Sequence, residues 1–302
     1  LDQMSFYRKD RATVKQEDFD ASLVYDKEED DFLDDLIPII KHPKLKQHYE
    51  EFRTQLLACG WLAYNEKTID IESKIISPAC VDMIYGEIPG TRNENVRWAV
   101  SDTLVDEGYH ILMVVNAMRV CKKYRDLNHI TLSNFNLTNK MNAAMDAASE
   151  AWQKKLIRLV TSIVSEVFIS DYLSMLSNAH DIQPLNRLTT AAHKHDELAH
   201  SGIFRLLSKE IYSSLSNKQQ HFFAVSLARP VKWFASKELA VWGQILDQLN
   251  FPNAREIIED CRSEGESDLS RIDFAELITL SEDVGIFDTP AGRAAFQEEG
   301  II

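Results

Sequence analysis

From about residue 45 to residue 250, apolar residues recur at steps of three and four rather than in alternation, which commits most of the chain to helices. Breakers are scarce, with 10 Gly and 8 Pro in 302 residues, so the helices should be long. Helices are predicted near 45–83, 93–123, 137–177, 185–212, 217–228 and 231–249, with breaks at Pro78, Pro89-Gly90, Pro184 and Pro230. The stretches 84–92 and 178–184 read as loops. Residues 1–35 read as an arm plus a short helix, and the acidic run Lys27–Asp31 as a solvated face. No linker or long repeat divides the chain, so one helical domain over 1–302 is expected, with its core bundle at about 45–212.

Within these helices, certain acids and imidazoles stand where apolar residues belong. Near 93–123 the stripe runs Val96, Val100, Leu104, Glu107, His110, Val114, Met118. Near 137–177 it runs Trp152, Leu156, Leu159, Ile163, Glu166, Ser170, Leu173. The helix before the 84–92 loop carries Leu57, Trp61, Tyr64, Thr68, Glu72, Ile75 and Ala79 on one face, with Glu66 and Asp70 off that line. Further along, His193, Glu197 and His200 fall within roughly 60° of one another on a helical wheel, while His195 points away. An uncompensated buried carboxylate costs several kcal/mol, so each of these needs a countercharge or a metal.

The order is informative. A lone Glu72 precedes Glu107-x-x-His110 by one helix and a turn. After a long middle, Glu166 stands in the same relation to Glu197-x-x-His200. Four antiparallel helices would bring four Glu and two His to one level of a bundle core, the arrangement of carboxylate-bridged di-iron or di-manganese centres. Two divalent ions would balance four carboxylates, and each imidazole adds a neutral donor. The fold expected is therefore all-α, a ferritin-like four-helix bundle with additional flanking helices. Each Glu-x-x-His is preceded by Asp, and Asp106 and Asp196 are placed to accept the outer N–H of a histidine on the opposite helix. Tyr64, two turns before Glu72, is the candidate for a cavity wall. Tyr109 and Tyr172 read as packing residues, and His42, His48, His129, His180 and His221 as surface or cap residues.

His193 adds a seventh donor. The sequence His193-Lys194-His195-Asp196-Glu197-Leu198-Ala199-His200, together with Asp106-Glu107-Gly108-Tyr109-His110, resembles the p-aminobenzoate N-oxygenase family over about 60–205. The resemblance implies a di-iron site of Glu72, Glu107, His110, Glu166, His193, Glu197 and His200. It also implies oxidation of an amine nitrogen with O2 as co-substrate, as in secondary-metabolite biosynthesis. Manganese could substitute for iron. Partners implied are a small aryl or amino-acid-derived amine, an electron donor such as a reductase or ferredoxin, a carrier protein for tethered substrates, and a second copy of the chain in a homodimer. A di-iron C–H hydroxylase or desaturase and a ferroxidase bundle remain open as alternatives. Substrate-binding residues are not assigned, since Arg229 and Arg271 read first as surface cations.

The formal net charge of −14 argues against nucleic acid and anionic membranes as partners. No run of about 18 apolar residues and no signal-peptide pattern is evident. Four cysteines without a CxxC pair fit a reducing compartment, with the cytoplasm as expected location.

Overall fold

A computed structural model describes residues 12–15 and 25–302, apart from the side chains of Lys15 and Arg271. Helix α1 (Pro43–Ile71) starts on a proline whose missing N–H would be unbonded anyway, and the His42 ring caps it by accepting from the Lys44 N–H. A single helix over 45–83 was expected. Instead α1 passes into a π-helical turn at Glu72–Ile76 before resuming as α2 (Ser77–Ile84). Pro78 explains the difference. It has no N–H for the carbonyl one turn back, and the ladder widens locally, with the Ser77 N–H donating to the Glu72 carbonyl five residues earlier. The helix bends its register but does not break.

Helix α3 (Glu94–Arg125) is capped by Asn93 and ends at Asp126, whose φ of 56° stops the helix. The expected helix over 137–177 is two helices, α4 (Asn136–Ala147) and α5 (Ala151–Ser177). Glu150 and Gln153 form a reciprocal capping box that starts α5 afresh. The separation lets α4 cross to α1, where the Thr138 hydroxyl donates to Asp70. Asp70 is thus buried, although periodicity placed it off the core face. Helix α6 (Pro184–Ser214) returns antiparallel to α5 and packs against both α5 and α3. Helices α1 and α3 also pack together, and the π turn touches α5, so α1, α3, α6 and α5 close a ring around one core.

Around this bundle lie α7 (Asn217–Leu227), α8 (Pro230–Phe234), α9 (Leu239–Gln248), α10 (Ala254–Ser263), α11 (Ala275–Val284) and α12 (Pro290–Glu298). The predicted helix over 231–249 divides at 235–238. There the Lys237 N–H donates to the Glu266 carbonyl and the Asp268 N–H to the Ala235 carbonyl, pulling the chain out of helix. No strand forms among the described residues, and the fold is an all-α, ferritin-like helical bundle.

Two expectations for the N-terminal region need correction or limitation. The acidic run is not wholly solvated, because Asp31 is buried between the Tyr25 hydroxyl and Arg125, and Asp30 pairs with Arg53. Of the predicted arm and helix, much lies outside the described residues. Among the described residues one helix, Ala151–Ser177, is long and apolar enough to cross a membrane, contrary to the sequence reading, yet 72% of its most apolar window is buried within the protein.

Candidate metal centre

The seven acids and imidazoles singled out by periodicity converge in the bundle interior, none more than 1% exposed. Two overlapping groups form. In one, Glu107, His110, Glu197 and His200 offer donor atoms within 4.8 Å of one another; in the other, Glu72, His110 and His193 do so. Glu166 belongs to neither group by that distance, but its carboxyl interacts with Glu197 and Glu107. The helices fix this level. Glu107 and His110 are one turn apart on α3, His193, Glu197 and His200 span two turns of α6, and Glu72 opens the π turn.

Both carboxylate oxygens of Glu72, Glu107 and Glu166, one oxygen of Glu197, and Nδ1 of His110 and His200 are buried with no hydrogen-bond partner. The atoms are close all the same. His200 Nδ1 lies 2.9 Å from a Glu107 oxygen, and His193 Nε2 lies 3.1 Å from oxygens of both Glu72 and Glu197. Leaving a single buried polar atom unpaired costs about 1–3 kcal/mol, and more for a charged one. A concentration of them at one point fits donors arranged for cations. Oxygen and imidazole nitrogen are the donors that suit iron or manganese, and among the described residues no cysteine belongs to either group.

The outer faces of two imidazoles are satisfied. His110 Nε2 is 3.2 Å from Asp196, and His200 Nε2 is 3.4 Å from Asp106. A carboxylate only accepts, so each ring presents an Nε2 proton to its aspartate and turns Nδ1 toward the cage. Each aspartate thus serves the other motif's histidine, across the α3–α6 seam. Asp196 also accepts the backbone N–H of Thr13 at 3.0 Å, a contact with no signal in the helical periodicity.

The electrostatics show how strained this cluster is without cations. Burial raises Glu72 to about 7 although His193 and His110 oppose the shift. Burial, then the neighbouring Glu197 and Glu107 carboxylates, push Glu166 well above its usual range. Glu197 is held well below its usual range, because His200 and His193 outweigh its burial. His110 and His200 rise well above theirs despite burial, through Asp196 and Glu107 for the first and Glu197 and Glu107 for the second. Protons are shared among groups that a divalent pair would otherwise neutralise.

Beside the cluster is a cavity of about 410 Å³. Tyr64, Thr68 and Ile71 of α1 line it, and Glu72 follows directly, while Ile169 of α5 stands one turn beyond Glu166. Tyr64 thus lies where periodicity placed it, with its hydroxyl buried and without a hydrogen-bond partner. Burial, with Glu72 and Glu197 nearby, raises the phenol strongly. Tyr172 shares the wall and packs edge-on against Phe234, whereas Tyr109 lines a separate outer groove. Two wall residues escaped the sequence reading: Lys67 and Glu238, 3.0 Å apart and largely buried. Glu238 sits at φ 50° in the break before α9 and accepts the Asn136 N–H that opens α4. Its only sequence signal is an acid within an apolar run. Arg229 is exposed and does not line the cavity; the Arg271 side chain lies outside the described residues.

An all-α bundle with a buried cage of four carboxylates and three imidazoles defines the class: a ferritin-like protein with a candidate metal centre. A model of the family described as p-aminobenzoate N-oxygenase AurF matches residues 8–285, and the chain belongs to that family. It is 26% identical over 265 residues to the 4-aminobenzoate N-oxygenase of Streptomyces thioluteus, covering 87% of this chain and 79% of that one. The chain is accordingly an enzyme, an oxidoreductase of the N-oxygenase family.

Proposed function

We propose that this enzyme is an O2-dependent di-iron N-oxygenase whose substrate is a small aromatic amine of the aminobenzoate type. The observation that carries this reading is a cavity lined along α1 by Tyr64, Thr68 and Ile71, the residue immediately before Glu72 of the donor cage. Its wall is rich in aromatic rings, among them Phe135, Tyr172, Phe234 and Trp242, which suit an aryl ring. Lys237 on the same wall suits a carboxylate at the far end of such a substrate, while Lys67 is engaged by Glu238 and the Phe234 carbonyl. The name of the Streptomyces thioluteus relative supports the same class.

Glu72, Glu107, Glu166 and Glu197 with His110, His193 and His200 would hold two iron ions, and manganese could take their place. Iron supplies the binding and reduction of O2, which no side chain here can perform. The chain's own residues do the rest. Asp196 and Asp106 lock His110 and His200 in the tautomer that turns Nδ1 inward. Ile71 and Ile169 give the cavity an apolar wall next to Glu72 and one turn from Glu166. The Tyr64 hydroxyl is poised to hydrogen-bond a group entering from the cavity. Oxidation of the amine to the hydroxylamine takes one O2, two electrons and two protons and releases one water. The same inputs carry the hydroxylamine to the nitroso compound with release of two waters, and the nitroso to the nitro compound with one, the electrons drawn from a reductase or ferredoxin.

The test is to load the protein with ferrous iron, supply reductant and O2, and separate the products formed from 4-aminobenzoate and a panel of amines. Hydroxylamine, nitroso or nitro products are expected. Ring or side-chain hydroxylation in their place would replace this reading with that of a C–H hydroxylase.

A further inference from the structure

Residues 12–15 stand far from the bundle helices in sequence, yet in the fold they end beside the donor cage. Ala12 is fully buried, and the 3₁₀ turn at Thr13–Lys15 packs against both α3 and α6. Thr13 grips α6 at two points. Its hydroxyl donates to the Ala192 carbonyl at 3.1 Å. Its backbone N–H points at the Asp196 carboxylate, 3.0 Å from one oxygen and 3.1 Å from the other. That carboxylate is itself fully buried and holds His110 Nε2 at 3.2 Å. A line of contacts therefore runs from the N-terminal segment through Asp196 to His110.

His110 is the imidazole at which such a line matters most. It is the one residue shared by the two donor groups, with Glu107, Glu197 and His200 in one and Glu72 and His193 in the other. A tilt of its ring moves Nδ1 against both sets at once. The ring N–H follows its acceptor, so the tilt is set by the plane of the Asp196 carboxylate behind it. The last torsion of an aspartate is broad, with no sharp well of its own to hold that plane. An N–H nearly equidistant from both oxygens supplies the restraint, because turning the carboxylate out of plane lengthens both contacts.

We propose that Thr13 is a positioning residue for the metal centre: its backbone N–H fixes the Asp196 carboxylate, which in turn aims His110 at both donor groups. The inference rests on the metal-centre reading above and extends it to a segment outside the bundle. Because the donor is backbone, every residue type except proline supplies it at this position. The alignment of the cage is thereby tied to the docking of the N-terminal segment.

The full chain is loaded anaerobically with ferrous iron, and the rate of iron release to a ferrous chelator is measured together with iron per chain. Thr13→Pro deletes the N–H at the first position of the 3₁₀ turn, where the fixed φ of proline fits. Release should quicken about tenfold, the low end of the range for groups that orient a ligating histidine. Asp196→Asn alone should quicken release too, since an amide has one accepting oxygen and turns its NH2 toward either Thr13 or His110. In that background Thr13→Pro should act in the opposite sense and slow release, because the single oxygen is freed for His110. If Thr13 merely tethered its segment, Thr13→Pro would quicken release in both backgrounds. That outcome, or an unchanged rate in Thr13→Pro alone, would overturn the proposal. A natural chain that binds no iron would instead sink the metal-centre reading on which it rests.

Discussion

The two sides of the donor cage are built differently. On the α3–α6 side, two Asp-Glu-x-x-His motifs face each other and exchange support, with each aspartate holding the other helix's imidazole. On the α1–α5 side the helices contribute one glutamate each, and those two are unequal. Glu72 has His193 at 3.1 Å, while Glu166 has carboxylates as its strongest neighbours. The lesson is that one half of the cage is a nearly symmetric frame and the other half sets two inequivalent positions. The extra imidazole falls on the Glu72 side, which is also the side along which the cavity runs.

That contrast can be broken most severely at the frame. Glu107→Ala or Glu197→Ala removes a carboxylate from the larger donor group, and iron content measured by metal analysis should fall to a small residue, with N-oxygenation lost. If the cage holds the two irons proposed, His193→Ala should act unevenly, lowering bound iron toward one per chain while Glu107→Ala lowers it toward none; equal loss in the two variants would mean the positions are equivalent. Asp106→Asn and Asp196→Asn should each lower metal affinity or turnover by about 10–100-fold, the range for groups that orient a ligating histidine.

A smaller effect concerns pH in the metal-free protein. Glu72 is raised in the folded state to about 7, and His110 and His200 are raised above their usual values. Raised groups bind protons more tightly when folded, so their stabilisation is present at low pH and lost as pH rises through the folded values. Glu107 and Glu197 shift the other way, but they act only below the ordinary carboxylate range. The apoprotein should therefore melt lower at about pH 8 than at about pH 6, while the gain from added iron widens, since metal must displace those protons. Calorimetry of both forms at the two pH values checks this, and a flat apoprotein profile would contradict it. The smallest change is expected from Tyr64→Phe, which removes a hydroxyl but keeps the wall, and should alter KM for the amine more than iron content.

Much of this architecture was legible because helical periodicity turns a chemical anomaly into a position. Glu107, Glu166 and Glu197 interrupt apolar stripes, and steps of three and four place them at one depth. The cross-strutting by Asp106 and Asp196 follows from the same geometry. What was not legible depends on contacts between distant segments. The interruption after Ala147 needs the Glu150–Gln153 capping box, and the one after Phe234 needs backbone pairing with residues 266–268; neither disturbs the apolar pattern. Asp70 looked like a surface acid because its partner, Thr138, comes from α4. Lys67 and Glu238 are far apart in sequence, and their pairing belongs to the fold alone.

The widened turn at Glu72–Ile76 has one more implication. It amounts to a single surplus residue absorbed inside a core helix, so the segments before and after it keep time with different neighbours. Excising Ser73 would let the turn close as an ordinary helix with Cys80 and Met83 still facing inward, but Glu72 would lose the widened turn that sets its carboxylate. The turn thus lets one long helix carry a residue more than its regular ladder could hold, at the point where it meets the donor cage.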